Sequence, residues 1–223
     1  MKLRQRLLGD GIFAILTCTS IAYGVFQFLG LLKKTEGVNV SWLLLWQLFM
    51  TLCIWFANDA YTVARNLVSS PEKEKKLRES WQLRTGYILG WICNGINLTY
   101  LLFHLKVFDG IDIVNFAFVG GALLFVLAYH HRDLKSPMAR ACYAVLCKAI
   151  PQLFMFWRIG PQHITPAGFK PVIWFGHTLI ILRLAKGHLS YAAKHEEGTR
   201  GALFAEWWNL VSWLLVTYAY YLY

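Results

Sequence analysis

Three charged side chains and a group of amides are the residues of this chain best suited to chemistry. Asp59, Arg183 and Glu206 fall at the ends of long apolar runs, and chain direction brings those ends to one side. Asn58 and Asn209 lie beside them, with Asn94 and Asn97 a turn or two deeper. Trp91, Asn94 and Asn97 share one helical face, because residues three and four apart are neighbours. The indoles Trp55, Trp174 and Trp208 complete the group. Indole faces stack on a ring, while amides and carboxylates bind hydroxyl or amine groups, so this set suits a small polar solute. The same residues allow a second chemistry. Asp59 or Glu206 could protonate an epoxide or olefin, with the indoles stabilising the resulting cation face-on.

Taken singly, Asp59, Arg183 and Glu206 read as interfacial groups that meet water, lipid headgroups or each other. Gathered on one side, Asp59, Asn94 and Asn209 read as a site. Lys148, a turn before Pro151, reads as a snorkelling side chain or the counter-charge of a carboxylate. His177 reads as a helix-packing residue. No Ser-His-Asp order, HExxH, phosphate loop or metal-ligand cluster is apparent, so neither a cofactor nor a metal is expected.

The elements that must position these residues are membrane helices. Apolar residues make up 57% of the chain, charged residues 15%, and mean hydropathy is +0.43. The apolar excess lies in long runs: residues 11–32 and 42–58 contain no charge. A spanning helix needs about 20 mainly apolar residues. Seven segments qualify, at about 9–32, 41–60, 86–105, 110–129, 138–157, 169–185 and 202–222. Helices follow because an unpaired backbone is too costly in lipid. The polar stretch from Tyr61 to Thr85 reads as a solvated loop. Gly120-Gly121 reads as a close-packing site for the fourth helix. The five cysteines lie inside predicted helices and read as small packing residues.

The net charge of +10 fits the positive-inside rule better than a nucleic-acid partner. Lys2, Arg4, Arg6, Arg65, Lys73, Lys75, Lys76, Arg78, Arg84, Arg132, Lys135, Arg140, Arg183, Lys186, Lys194 and Arg200 fall on the side of the amino terminus, against Lys33, Lys34, Lys106, Arg158 and Lys170 on the other. The expected protein is therefore integral and multi-pass, with a cytosolic amino terminus.

Two stretches share a plan. Residues 26–42 carry Gln27 at the end of an apolar run, then a basic, Gly-containing tip and a new apolar run. Residues 151–169 repeat it, with Pro151-Gln152, Arg158 and a turn. Pro151 removes a backbone hydrogen bond and kinks its helix, so Gln27, Pro151 and Gln152 are candidate hinges. The first three and last three segments match in pattern, with the fourth as joiner, and parallel repeats of this kind occur in transporters.

Gln27, the run Lys34-Thr35-Glu36-Gly37-Val38-Asn39-Val40-Ser41, and Pro151-Gln152 with Trp157-Arg158 resemble the PQ-loop motifs of the SWEET and cystinosin-like superfamily. The resemblance covers nearly the whole chain. It implies an all-α membrane protein of seven transmembrane helices, two three-helix repeats joined by a linker helix (3+1+3). The parts are a first bundle over 1–105, a linker helix over 106–136 and a second bundle over 137–223. It also implies movement of a sugar or amino-acid-like solute through a central pocket, with Trp55, Asn94 or Asn97, and Asn209 in the pocket. Two other architectures are similar. KDEL-type retention receptors share seven helices and a run like Pro151–Met155, implying peptide recognition. Integral-membrane terpene cyclases share the size and layout, implying Asp59 and Glu206 as acids. The expected partners are a small polar solute and the lipid bilayer, and a homo-oligomer is allowed.

Overall fold

The computed structural model describes residues 3–33, 40–104, 109–130, 137–161, 163–164, 169–194 and 197–223. These form α1 (Leu3–Lys33), α2 (Val40–Arg65), α3 (Pro71–His104), α4 (Gly110–His130), α5 (Pro137–Ala144), α6 (Ile150–Ile159), α7 (Phe169–Lys194) and α8 (Glu197–Leu222). A π turn, Val145–Ala149, joins α5 to α6 without a break. The described chain is all-α, and each of the seven expected segments falls on a helix or, for 138–157, on this continuous rod, with residue 105 of the third segment outside the described residues. Among the described residues, three helical stretches are long and apolar enough to cross a membrane: Leu8–Lys33, Val40–Arg65 and Pro71–His104. The first hairpin tip, residues 34–39, lies outside the described residues, as do residues 106–108 and 131–136 of the linker segment.

The helices run longer than hydropathy suggests, and the clearest correction is at Tyr61–Thr85. Only residues 66–70 leave the helix, and α3 begins at Pro71. Proline suits a first helical turn, where its missing N–H is not needed. The Ser70 hydroxyl accepts from the Lys73 amide at 3.2 Å, a side-chain cap. Glu72 and Glu74 favour the positive end of the helix, and Lys76 pairs with Glu72 at 2.9 Å one turn away. Helix-forming polar residues need no apolar face once they are beyond the bilayer. At about 1.5 Å per residue, α3 is longer than the roughly 30 Å hydrocarbon layer.

The packing has a repeated order. α3 lies against both α1 and α2, and α8 lies against both α7 and the α5–π–α6 rod. The two groups meet where α1 packs on α7 and where α2 packs on the π turn and α6. Close approach is set by single glycines. A Cβ on Gly24 would sit 2.7 Å from the Cβ of Cys93, and one on Gly176 would sit 2.6 Å from the indole nitrogen of Trp213. Gly120-Gly121 does not have this role. An added Cβ at Gly121 meets nothing within 4 Å, and at Gly120 it meets only Phe116 of its own helix.

Leu31, Val40, Leu101, Ile159, Phe169 and Ala219 pack near the end of α1 and the start of α2, in a buried cluster that continues along the bundle to Leu184 and Leu203. Beside it, Asp112 of α4 accepts from the Ser41 amide at 2.9 Å and the Ser41 hydroxyl at 2.8 Å, capping α2. Asn115 donates to that hydroxyl at 2.7 Å. The buried Arg158, at the end of α6, pairs with Asp109 and lies 3.9 Å from Asp112. α4 thus ties the start of α2 to the end of α6.

Candidate functional site

A half-open cavity of about 90 Å³ lies between the two helix groups. α1 contributes Ser20, Tyr23, Gly24 and Gln27; α2 contributes Trp42, Trp46 and Met50; α3 contributes Gly90, Cys93 and Asn94. Lys148 and Gln152 come from the π turn and α6, Gly176, Leu179, Ile180 and Arg183 from α7, and Asn209 and Trp213 from α8. Within each helix these positions are spaced by three or four, with single exceptions, so each helix presents one narrow stripe.

Amides join the helices behind that surface. Asn97 donates to Gln27 at 3.0 Å, linking α3 to α1. Gln152 donates to Asn209 at 3.1 Å, linking α6 to α8, and Ser212 donates to Gln152. In each group, then, the glutamine of the first rod meets an asparagine of the third. Asn94 donates to Gln47 at 2.8 Å and to the Leu43 carbonyl at 2.9 Å, tying α3 to α2.

Glu206 is the hub of a charged cluster. Lys148 Nζ lies 3.3 Å from its carboxylate, Arg183 lies 3.6 Å away, and Asn209 donates to it at 3.1 Å. The Lys148 ammonium also sits 5.0 Å from the ring centre of Trp46, a cation–π contact. Two cations therefore share one carboxylate. The reading of Lys148 as a carboxylate's counter-charge describes what this arrangement contains.

Pro151 is the second residue after the π turn, and both it and Gln152 are buried. Proline cannot donate to the preceding turn, and its ring crowds the carbonyl four residues back. Widening the turn relieves this: Ile150 donates to Val145, five residues earlier. The helix passes the proline, and the turn places Lys148 toward Glu206.

The structure divides the expected site residues. Asn94, Asn97 and Asn209 are buried, and Asn94 and Asn209 line the cavity. Trp55, Asn58, Asp59, Trp174 and Trp208 are exposed and do not line it. Trp55, for instance, is 59% exposed and stacks on Phe56. The correction has a geometric cause. A helix turns about 100° per residue. Trp55 lies nine residues after Trp46, and Trp174 nine before Arg183, so each falls about half a turn away from the cavity stripe. Asp59 shares the outward face of Trp55, four residues on. Glu206 is drawn into the ion cluster instead of pairing with Asp59 in a carboxylate set. His177 shares a hydrogen bond of 2.7 Å with Thr217 and packs edge-on to Trp213, as a packing residue would.

Sequence reasoning missed Trp42, Trp46 and Trp213, which line the cavity, and Gln47 as the partner of Asn94. Trp42, Trp46 and Met50 are four apart, and Gln47 follows Trp46 directly. That stripe was the available signal. Among the described residues no group of histidines, cysteines or acids could hold a metal ion, and none of the five cysteines is in a disulfide. Compared with known proteins, the chain matches no family model, no curated protein and no solved structure.

Proposed function

We propose that the chain is a multi-pass membrane transporter that moves a small polar solute through the central cavity by alternating access. On this reading seven helical rods span the bilayer as two three-helix bundles joined by α4, with the amino terminus in the cytosol. The observation that carries the reading is the cavity, lined by α1, α2 and α3 of one group and by the π turn, α6, α7 and α8 of the other, with amides, indoles and charges. The repeated packing order and the matching pairs Gln27–Asn97 and Gln152–Asn209 support two equivalent halves. Transporter sites lie at such interfaces.

At about 90 Å³ the cavity is smaller than the roughly 300 Å³ of an ordinary ligand site. A solute would therefore widen it by shifting one bundle against the other. The partly exposed Arg183 favours access from the side of the amino terminus. The π turn at Pro151 is the natural place for the second bundle to bend, since π turns mark adjustable points in helices.

The cyclase reading draws less support. Asp59 is exposed away from the cavity, and Glu206 is engaged by two cations, so neither is arranged as an acid facing a substrate. The test is uptake of labelled hexoses, disaccharides, amino acids and short carboxylates into proteoliposomes. Ser20→Phe, which fills the cavity from α1, is the blocked control. Saturable uptake lost in Ser20→Phe supports transport. Uptake of nothing in the panel, or equal uptake in the blocked variant, overturns it.

A further inference from the structure

The cavity carries an unbalanced charge. Lys148 and Arg183 both line it, whereas Glu206, the carboxylate they share, does not. Among the described residues that line it there is no aspartate or glutamate. The other acid among the site candidates, Asp59, is exposed on the far face of α2. The described groups in contact thus sum to one positive charge, on cations whose side chains are only 11% and 32% exposed.

Arg183 has the freer donors. A guanidinium offers five N–H groups in a planar fork suited to a carboxylate. At 3.6 Å its approach to Glu206 is longer than an ordinary charge-assisted hydrogen bond. Lys148 is held at 3.3 Å by the same carboxylate. An incoming anion would complete Arg183 and balance the pair.

We propose that the solute is a small monocarboxylate, its carboxylate held between Arg183 and Lys148. This rests on the reading of the cavity as the solute path and names the class of solute. One excess positive charge matches one carboxylate. A dicarboxylate or a phosphate dianion would bring a second negative charge with no partner, and a neutral sugar would leave the excess charge unmet. Asn94 and Gln152 supply amides for a hydroxyl or keto group next to the carboxylate, and Trp46 and Trp213 supply the apolar walls.

The test separates binding from transport. Equilibrium dialysis of the purified full chain with labelled lactate, succinate, inorganic phosphate and glucose measures binding. Uptake of the same four compounds into proteoliposomes measures transport. The wild type should bind lactate saturably and in preference to the other three. Arg183→Gln should weaken lactate binding roughly ten- to a hundredfold, the loss of a hydrogen bond to a charged group, and Arg183→Lys should recover part of it. The Arg183→Gln chain keeps the Lys148–Glu206 pair, and an unchanged thermal transition would show that it folds. Lactate binding without uptake of any compound sustains the monocarboxylate site and sinks transport. Glucose uptake without lactate binding does the reverse. Preference for succinate or phosphate, or unaltered lactate binding in Arg183→Gln, overturns the proposal.

Discussion

Replacing Glu206 by Gln should destabilise the protein by about 3 kcal/mol, and the reason lies in the cluster around it. The substitution is isosteric, so Asn209 keeps an acceptor in place of the carboxylate oxygen it meets at 3.1 Å. What is lost is charge. Lys148 at 3.3 Å and Arg183 at 3.6 Å then face each other with no carboxylate between them. With an effective dielectric constant of about 20, a pair at 3.3 Å attracts by about 5 kcal/mol. Partial exposure of Arg183 lets water screen part of that loss, which places the cost at the lower end of the range for breaking a buried pair. In a chain of this length about 3 kcal/mol corresponds to a fall of roughly 6–12 °C in the unfolding midpoint. Thermal unfolding of purified protein in one detergent measures it. A second substitution, Lys148→Met, should cost less in the Glu206→Gln background than alone, since the ammonium there has already lost its partner. A midpoint within about 2 °C of wild type for Glu206→Gln, or strictly additive effects of the two changes, would refute the buried-cluster argument.

Three further outcomes follow from the packing and the placement of the indoles. Gly176→Ala would drive a methyl group into the Trp213 indole and should cost about 1–3 kcal/mol in detergent unfolding, whereas Gly121→Ala should be close to neutral. Trp55→Ala and Trp174→Ala, both on outward faces, should leave solute uptake unchanged, while Trp46→Ala, at the cavity wall, should reduce it. Asn97→Leu removes the donor to Gln27 and should cost about 0.6–2 kcal/mol, the range for a hydrogen bond between membrane helices, again read from the unfolding midpoint.

The all-α class and the rough positions of the helical segments were legible because apolar run length reports them directly. Helix ends were not, because Ser70, Pro71, Glu72 and Lys76 extend α3 by capping and ion pairing, which hydropathy does not register. The amides were the most readable part of the site. Asn94, Asn97, Asn209 and Gln152 have few acceptable places in a membrane helix other than against a partner, and each is buried with one. The indoles misled because tryptophan fits both a cavity wall and the outer, lipid-facing surface, and only angular position distinguishes Trp46 from Trp55. The role of α4 was hidden for a different reason. Asp112, Ser41 and Arg158 come from three distant segments, and nothing local to any of them announces the other two.

The central claim is that two bundles move against each other around a shared cavity, and a cross-link between them tests it most directly. Phe26 of α1 and Phe175 of α7 stack across the bundle interface at 5.2 Å, while Phe28 and Tyr100 meet within the first bundle at 5.4 Å. Cysteines can replace either pair in a chain whose own five cysteines have been removed, and uptake of a transported solute is then measured before oxidation, after it, and after reduction. The account predicts that the Phe26→Cys/Phe175→Cys cross-link abolishes uptake reversibly while the Phe28→Cys/Tyr100→Cys cross-link leaves it intact. Full uptake with the two bundles locked together would contradict it.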